Sequence, residues 1–552
     1  MPRHLTLQFI LLLLLACTGA KPAAAQPTAP GKVSWGPPYK EPGNTLATGI
    51  ISIVPEGFYL MRQRLSQNTN ARPRAWVELY SHDMKLQRSE EMELKYKGKQ
   101  REFENVVMLG GKLYLLTSFH NTAKKRNYLF RQELSLKTLQ PSRNLEMIGE
   151  SEARNAAAKG KFRFHISGDS TRLLVYTELP YEKKSPERFG FRVFDENFQL
   201  LWEKNIVLPY PDNQFTVEDY RMDDQGNVFL LGVLYDDEAK WRRRGNPTYK
   251  YVILSYLDNG TAASELRVEP ENKFITDLTF RPSKDGQLVC AGFYSERGTY
   301  SIKGATYFRL DTRTREFYDW NYQPFSLDFL TENMSDKKKQ QAREAAANND
   351  VQREVELYDY SLDELILRSD GGAVLVAEQY YVEQDLYRDY PMYGYYPYGF
   401  YDPFFYNRYG RTRTDYYYHY NDIMVVNLRP SGEIEWAARI PKRQETRNDG
   451  GYNSSYAMAI VRDKLFFVFN DNAKNFAGGE RSKRLSSYTG GDGVLTLAQV
   501  GKDGALAAFP LALNSDAGIL TRPKMCKQIA RKSMAILGEK NREYRFANLQ
   551  FD

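Results

Sequence analysis

Thiols and imidazoles are scarce here: 552 residues carry 3 Cys and 5 His. Cys290 and Cys526 lie far apart and Cys17 sits in an N-terminal apolar run, so a disulfide framework is excluded and a conventional core must hold the fold. His82, His120, His165 and His419 show no zinc-binding spacing, and His165, alternating beside Phe164, reads as structural; no metal site or other cofactor is expected. The chain also lacks a G-x-S-x-G elbow, a phosphate-binding loop and a dinucleotide fingerprint. Beyond the N-terminus no apolar run is long enough to span a bilayer.

The leader MPRHLTLQFILLLLLACTGAKPAAAQ has one early Arg, an apolar stretch from Leu5 to Ala16 and small residues ending at Ala25. It reads as a signal peptide over residues 1–25, which makes the protein secreted or periplasmic. Leu14-Leu15-Ala16-Cys17 also fits a lipobox, the alternative being an outer-membrane lipoprotein acylated at Cys17. The formal net charge of +7 falls by two when Arg3 and Lys21 leave with the leader. The remaining basic residues are scattered, so nucleic acid is not an expected partner.

What is present is a repeat. Eight stretches share a strand, a tight turn and a strongly apolar strand: IVPEGFYLM from Ile53, VMLGGKLYLL from Val107, HISGDSTRLLVY from His165, RMDDQGNVFLLG from Arg221, RPSKDGQLVCAG from Arg281, LRSDGGAVLVAE from Leu367, IVRDKLFFVF from Ile460 and QIARKSMAILGE from Gln528. Asp-Gly and Gly-Gly supply the positive φ of a tight hairpin, and the β-branched and aromatic run that follows reads as a buried strand. A second hairpin follows most of them, as in FRVFDENFQLLWEKNIVL, so the unit is a four-stranded antiparallel sheet. The pattern resembles a β-propeller, all-β, with eight blades and seven as the alternative. The last unit has only three strands before Asp552, while GKVSWGPPYK near the start holds Trp35 in a setting like that of Trp202, Trp320 and Trp436. An N-terminal strand over Lys32 to Tyr39 is therefore expected to complete the last blade and remove an open edge. The whole resembles uncharacterised secreted propeller-like proteins of Bacteroidetes, a resemblance that spans the repeats and carries no functional residues.

Residues 26–552 thus read as one propeller domain with two insertions. Residues 331–356 are rich in helix formers and charge without an apolar stripe, which predicts a solvated helix between blades five and six. Residues 385–418 form a Tyr-rich insertion at a hairpin tip of blade six, punctuated by Gly394, Pro397, Gly399, Pro403 and Gly410. Tyr combines an apolar face, a polar tip and little side-chain entropy, and Arg stacks on rings or pairs with acids. The binding candidates are Tyr387, Tyr390, Tyr393, Tyr395, Tyr396, Tyr398, Tyr401, Arg408, Tyr409, Arg411 and Arg413. The bland reading is a loop that packs on the disc or does nothing specific.

The sequence therefore points to a monomeric, non-catalytic propeller that binds an envelope or extracellular protein or glycan through loops on one face. The alternative is an extracellular enzyme, glycan-active or quinoprotein-like, with its site at the central channel. Trp202 and Trp436 faintly resemble quinoprotein blade motifs, but the Ala, Asp and Thr-Gly of that pattern are missing. Acidic turns such as Asp223-Asp224-Gln225-Gly226-Asn227 and Asp370-Gly371-Gly372 read as turn chemistry, not calcium loops.

Overall fold

The computed structural model describes residues 29–42, 45–64, 74–180, 182, 185–236, 248–270, 273–296, 298, 301–348, 350, 354–385, 415–478, 481–491, 493–513 and 519–552. Among these, eight antiparallel sheets of propeller type form the ring, seven of them each from one run of the chain and the eighth completed by the N-terminal strand, with two separate two-stranded pairs beside them. The inner strands of blades 1 to 8 are Leu46–Val54, Glu102–Leu109, Lys161–Ile166, Phe215–Met222, Phe274–Pro282, Tyr360–Leu367, Ala457–Val461 and, in two short pieces, Leu520–Thr521 with Lys527–Ala530. Each of the eight repeated stretches is the hairpin joining an inner strand to the next strand out. The turn glycines do as expected: Gly110, Gly111, Gly226, Gly286 and Gly371 all have positive φ. Blade 7 reaches the same conformation without glycine, at Arg462.

The core is not one mass. Among the described residues it divides into eight apolar clusters, each between two consecutive blades, and the last joins blades 8 and 1 through Phe58, Tyr80, Phe546 and Tyr544. The eighth of these interfaces therefore forms only when the ring closes. Closure is made as the repeat count requires: Gly31–Trp35 pairs antiparallel with Glu543–Phe551, from Gly31↔Phe551 to Trp35↔Ala547, and Tyr39–Lys40 extends the pairing. The outer-strand tryptophans clamp neighbouring blades. Trp202 of blade 3 donates its indole N–H to Gly226 O of blade 4 (3.1 Å), and Trp436 of blade 6 donates to Lys502 O of blade 7 (2.8 Å). Gly260, with φ +74, lies where a Cβ would strike the Trp202 ring at 2.8 Å.

Between blades 5 and 6 the chain forms two helices. Helix α1, Leu327–Thr331, buries Phe329 and Leu330; helix α2, Asp336–Ala347, is exposed except at Ala342 and Ala345. Arg439 ties α1 to blade 6, donating to Phe329 O at 2.9 Å with its guanidinium 4.9 Å from the Phe329 ring. Among the described residues no helix is long and apolar enough to cross a membrane.

Candidate functional site at one mouth of the ring

Strands within a blade alternate direction, so the turns between second and third strands share a face with the crossings from one blade to the next. That face carries α1, α2 and the starts of the inner strands. It also carries an elongated hairpin: Ala373–Asp385 and Asp415–Leu428 of blade 6, at 13 and 14 residues, are the longest described strands. They pair beyond the blade as far as Asp385↔Asp415, and Gln444–Arg447 braces the outer side of this stalk. Tyr380 packs on Tyr420 with ring centroids 4.6 Å apart, and Tyr381 stacks on His419 at 4.4 Å. The sequence candidates from Tyr387 to Arg413 fall between the two stalk strands in the chain and are outside the described residues, as are the leader and Cys17.

The stalk is rooted in a buried polar network. Lys442 Nζ meets Glu378 Oε1 at 2.8 Å, with side chains 0% and 5% exposed. Lys442 also donates to Tyr420 O (2.8 Å) and Gln444 Oε1 (3.1 Å), while Ser455 donates its hydroxyl to Glu378 Oε2 (2.6 Å). Burial pushes the Lys442 ammonium below its ordinary range, and the Glu378 charge opposes that push. Beside it Lys524, on the turn Pro523–Met525 of blade 8, donates to the Tyr420 hydroxyl (2.9 Å) and lies 4.5 Å from its ring. Its ammonium is likewise lowered, first by burial, against the attraction of Glu378 and Asp363.

Across the mouth stands a row of carboxyl groups that sequence reading left unplaced. Five inner strands carry a β-bulge near their start, and the extra residues are Thr48, Glu104, Glu218, Thr276 and Asp363. A bulge re-aims its side chain out of the strict strand alternation. Asp363 accepts from the Tyr456 hydroxyl of blade 7 at 2.7 Å, and Asp277, next to the blade 5 bulge, accepts from Leu362 N of blade 6 at 2.9 Å. Burial first, then Asp277 and Asp219, pushes the Glu218 carboxyl up to about 7. Burial likewise raises Asp277 to about 7, despite the backbone N–H groups that it accepts. Asp363 is exposed by area, yet enclosure and the Glu378 charge hold its carboxyl well above the usual range. Glu104, in blade 2, is raised to about 7 by burial and takes a 2.5 Å hydrogen bond from Ser118. The signal in the sequence was a polar pair interrupting four of the inner strands: Glu104-Asn105, Glu218-Asp219, Thr276-Asp277 and Asp363-Glu364.

Other sequence candidates have structural roles. His165 meets Tyr220 edge-on at 6.4 Å, and burial together with Arg221 and Arg281 lowers its imidazole to about 4. In the blade 4 turn, the Asp223 carboxylate accepts from Gln225 N, Asn227 N and Asn227 Nδ2, all between 2.8 and 2.9 Å, so it serves the turn itself. Among the described residues no group of three His, Cys, Asp or Glu is placed to hold a metal ion.

No family model matches the chain, and no curated protein matches it. Among solved structures, the WD40 domain of SCAP from fission yeast is 9% identical, with 94% of this chain and 98% of that one covered at a TM-score of 0.35. A protein of unknown function from Bacteroides caccae is 10% identical, covering 66% and 90% at a TM-score of 0.25. The Penicillium chrysogenum alpha-L-arabinanase complexed with arabinobiose is 11% identical, covering 64% and 94% at 0.28. Likenesses this faint carry no argument about function, and the eight-bladed propeller stands on its own strand pairing.

Proposed function

We propose that the protein is an exported, non-catalytic propeller that binds an envelope or extracellular protein or glycan through the stalk-bearing face, with Tyr387 to Arg413 among its contact residues. The observation that carries this reading is the stalk: its two strands overrun the blade and are rooted by the Glu378–Lys442 pair. A rigid, laterally braced hairpin suits presentation of whatever its tip carries, because ordering cost is met before binding. The test replaces residues 387–413 with a short Gly-rich turn and compares capture from envelope extract, beside the thermal melt. A preserved melt with lost capture is expected. A lower melt would assign those residues to packing, and unchanged capture would overturn the proposal.

A second reading, glycan hydrolysis at the channel mouth, is favoured by one observation: Glu218, Asp277 and Asp363 stand in adjacent blades with raised carboxyl groups. Groups held protonated near neutral pH are the kind a glycosidic leaving group needs. Turnover of extracellular oligosaccharides that is lost in Asp363→Asn and in Glu218→Gln would favour this reading over the first.

A further inference from the structure

The root of the stalk contains an unfinished sheet. Inner strand Tyr360–Leu367 pairs with its neighbour only as far as Tyr360↔Gln379. One residue earlier Asp359 takes a positive φ of 62°, and the chain turns away so that Leu357–Tyr358 pairs with Ser301–Ile302 of blade 5. The last bond to the stalk is Tyr380 N to Asp359 O, at 2.8 Å. Strand geometry points alternate backbone groups the same way, so the N–H and C=O of Val382 and Gln384 follow Tyr380 toward this inner side. Among the described residues nothing pairs with them there, while the opposite side remains fully laddered to Asp415–Leu428. The edge is on the side of the blade's inner strand.

The side chains beside this edge have two characters. Tyr380 and Val382 are 37% and 40% exposed on one side, with Tyr358 nearby at 48%. On the other, Glu383 is 65% exposed, and the carboxylates of Glu383 and Asp359 both act on Tyr381, where Arg443 supplies the opposing charge. Edge strands usually carry Pro, a bulge or charge to discourage pairing; Tyr381–Asp385 has no Pro, and its charges, Glu383 and Asp385, are both acidic.

We propose that Tyr381–Asp385 is a strand-addition site for an extended peptide segment of a partner protein. The backbone groups of Val382 and Gln384 pair with that segment, its apolar residues cover Tyr380 and Val382, and a Lys or Arg on the alternate side meets Glu383 and Asp359. A row of main-chain donors and acceptors at strand spacing is complementary to another strand and not to a sugar, whose hydroxyls do not repeat at that spacing. This inference rests on the proposed binding role of the same face and narrows its partner to a peptide.

The test uses the full chain and short synthetic peptides alternating apolar with Lys or Arg, beside peptides alternating apolar with Glu and a set of neutral oligosaccharides. Basic peptides are expected to bind and to slow amide exchange at Val382 and Gln384. Gln384→Pro removes an outward N–H without touching the far ladder, and is expected to weaken peptide binding by about tenfold or more with the melt preserved. Glu383→Lys is expected to shift preference toward the acidic peptides while leaving the edge competent. Val382 and Gln384 amides already protected in the protein alone would overturn the inference. So would peptide binding indifferent to Gln384→Pro, or protection of these amides by oligosaccharides instead of peptides. If replacing residues 387–413 abolishes envelope capture while Gln384→Pro leaves it intact, the binding role stands and the strand-addition site falls; if capture survives both changes, both fall.

Discussion

Lys442→Met is the sharpest probe of how the stalk is held. At 2.8 Å, Lys442 and Glu378 attract by roughly 6 kcal/mol if the effective dielectric constant is about 20, while burying each ion costs several kcal/mol, so the intact pair is near break-even. Removing one member leaves the cost without the attraction. In Lys442→Met, Glu378 keeps the Ser455 hydroxyl and the attraction of the Lys524 ammonium but loses its paired cation, and the Tyr420 carbonyl loses a donor. The expected destabilisation is about 3 to 5 kcal/mol. Glu378→Gln in the Lys442→Met background removes the stranded charge and leaves an acceptor for Ser455, so the double variant should recover to within about 2 kcal/mol of the parent. Urea unfolding followed by tyrosine and tryptophan fluorescence measures the parent, both single variants and the double variant, and hydrogen exchange over Tyr380–Asp385 tells whether the stalk frays first. A Lys442→Met cost below about 1 kcal/mol, or a double variant as unstable as the two single changes added, would refute the reasoning.

The blade count was legible because the inner hairpin repeats its chemistry eight times: a turn that needs positive φ, then an apolar run. Trp35 carried the closure signal, since its surroundings match those of Trp202, Trp320 and Trp436, and all four occupy outer strands. Of the two helices between blades 5 and 6, the exposed α2 lies inside the charged, helix-forming stretch 331–356, whereas α1 buries Phe329 against Arg439, a contact far along the chain that no local pattern carries. The channel carboxyl groups were missed for a different reason. A β-bulge depends on register with a partner strand, so the Glu218-Asp219 and Asp363-Glu364 pairs looked like ordinary polar interruptions until pairing skipped a residue at each. Glu378 and Lys442 are likewise ordinary charged residues in sequence. Only the meeting of an overlong strand with the blade crossing makes them a buried pair.

Four further outcomes are expected. Glu218 and Asp277 have folded-state carboxyl groups raised to about 7, so they favour the folded protein most at acid pH, and that contribution is lost as pH rises from the unfolded value through about 7. Glu218→Gln should therefore reduce the fall in urea midpoint between pH 5 and pH 8, by up to about 3 kcal/mol in stability; an unchanged difference would contradict the assigned burial. Trp202→Phe, which loses the bond to Gly226 O, should cost about 1 to 2 kcal/mol in urea unfolding, and a neutral result would mean that the indole N–H contributes nothing between blades 3 and 4. Palmitate labelling of parent and Cys17→Ser separates the two readings of the leader: no label and a mature N-terminus at Gln26 are expected, and label that vanishes in the variant would establish lipidation. Deleting residues 26–42 tests closure, and here the consequence extends beyond the lost strand. Gly31–Trp35 and Tyr39–Lys40 supply the outer edge of blade 8, Trp35 lies 4.8 Å from the Arg545 guanidinium, and Tyr39 packs against Tyr80 and Tyr544 where blades 8 and 1 meet. Removing them therefore opens an edge and thins the cluster that closes the ring, so the thermal midpoint should drop sharply and amide protection should fall first in Glu543–Phe551 and Gly57–Gln63. A deletion that melts like the parent would mean that the ring is held by its other blade interfaces alone, and the closure argument would fail.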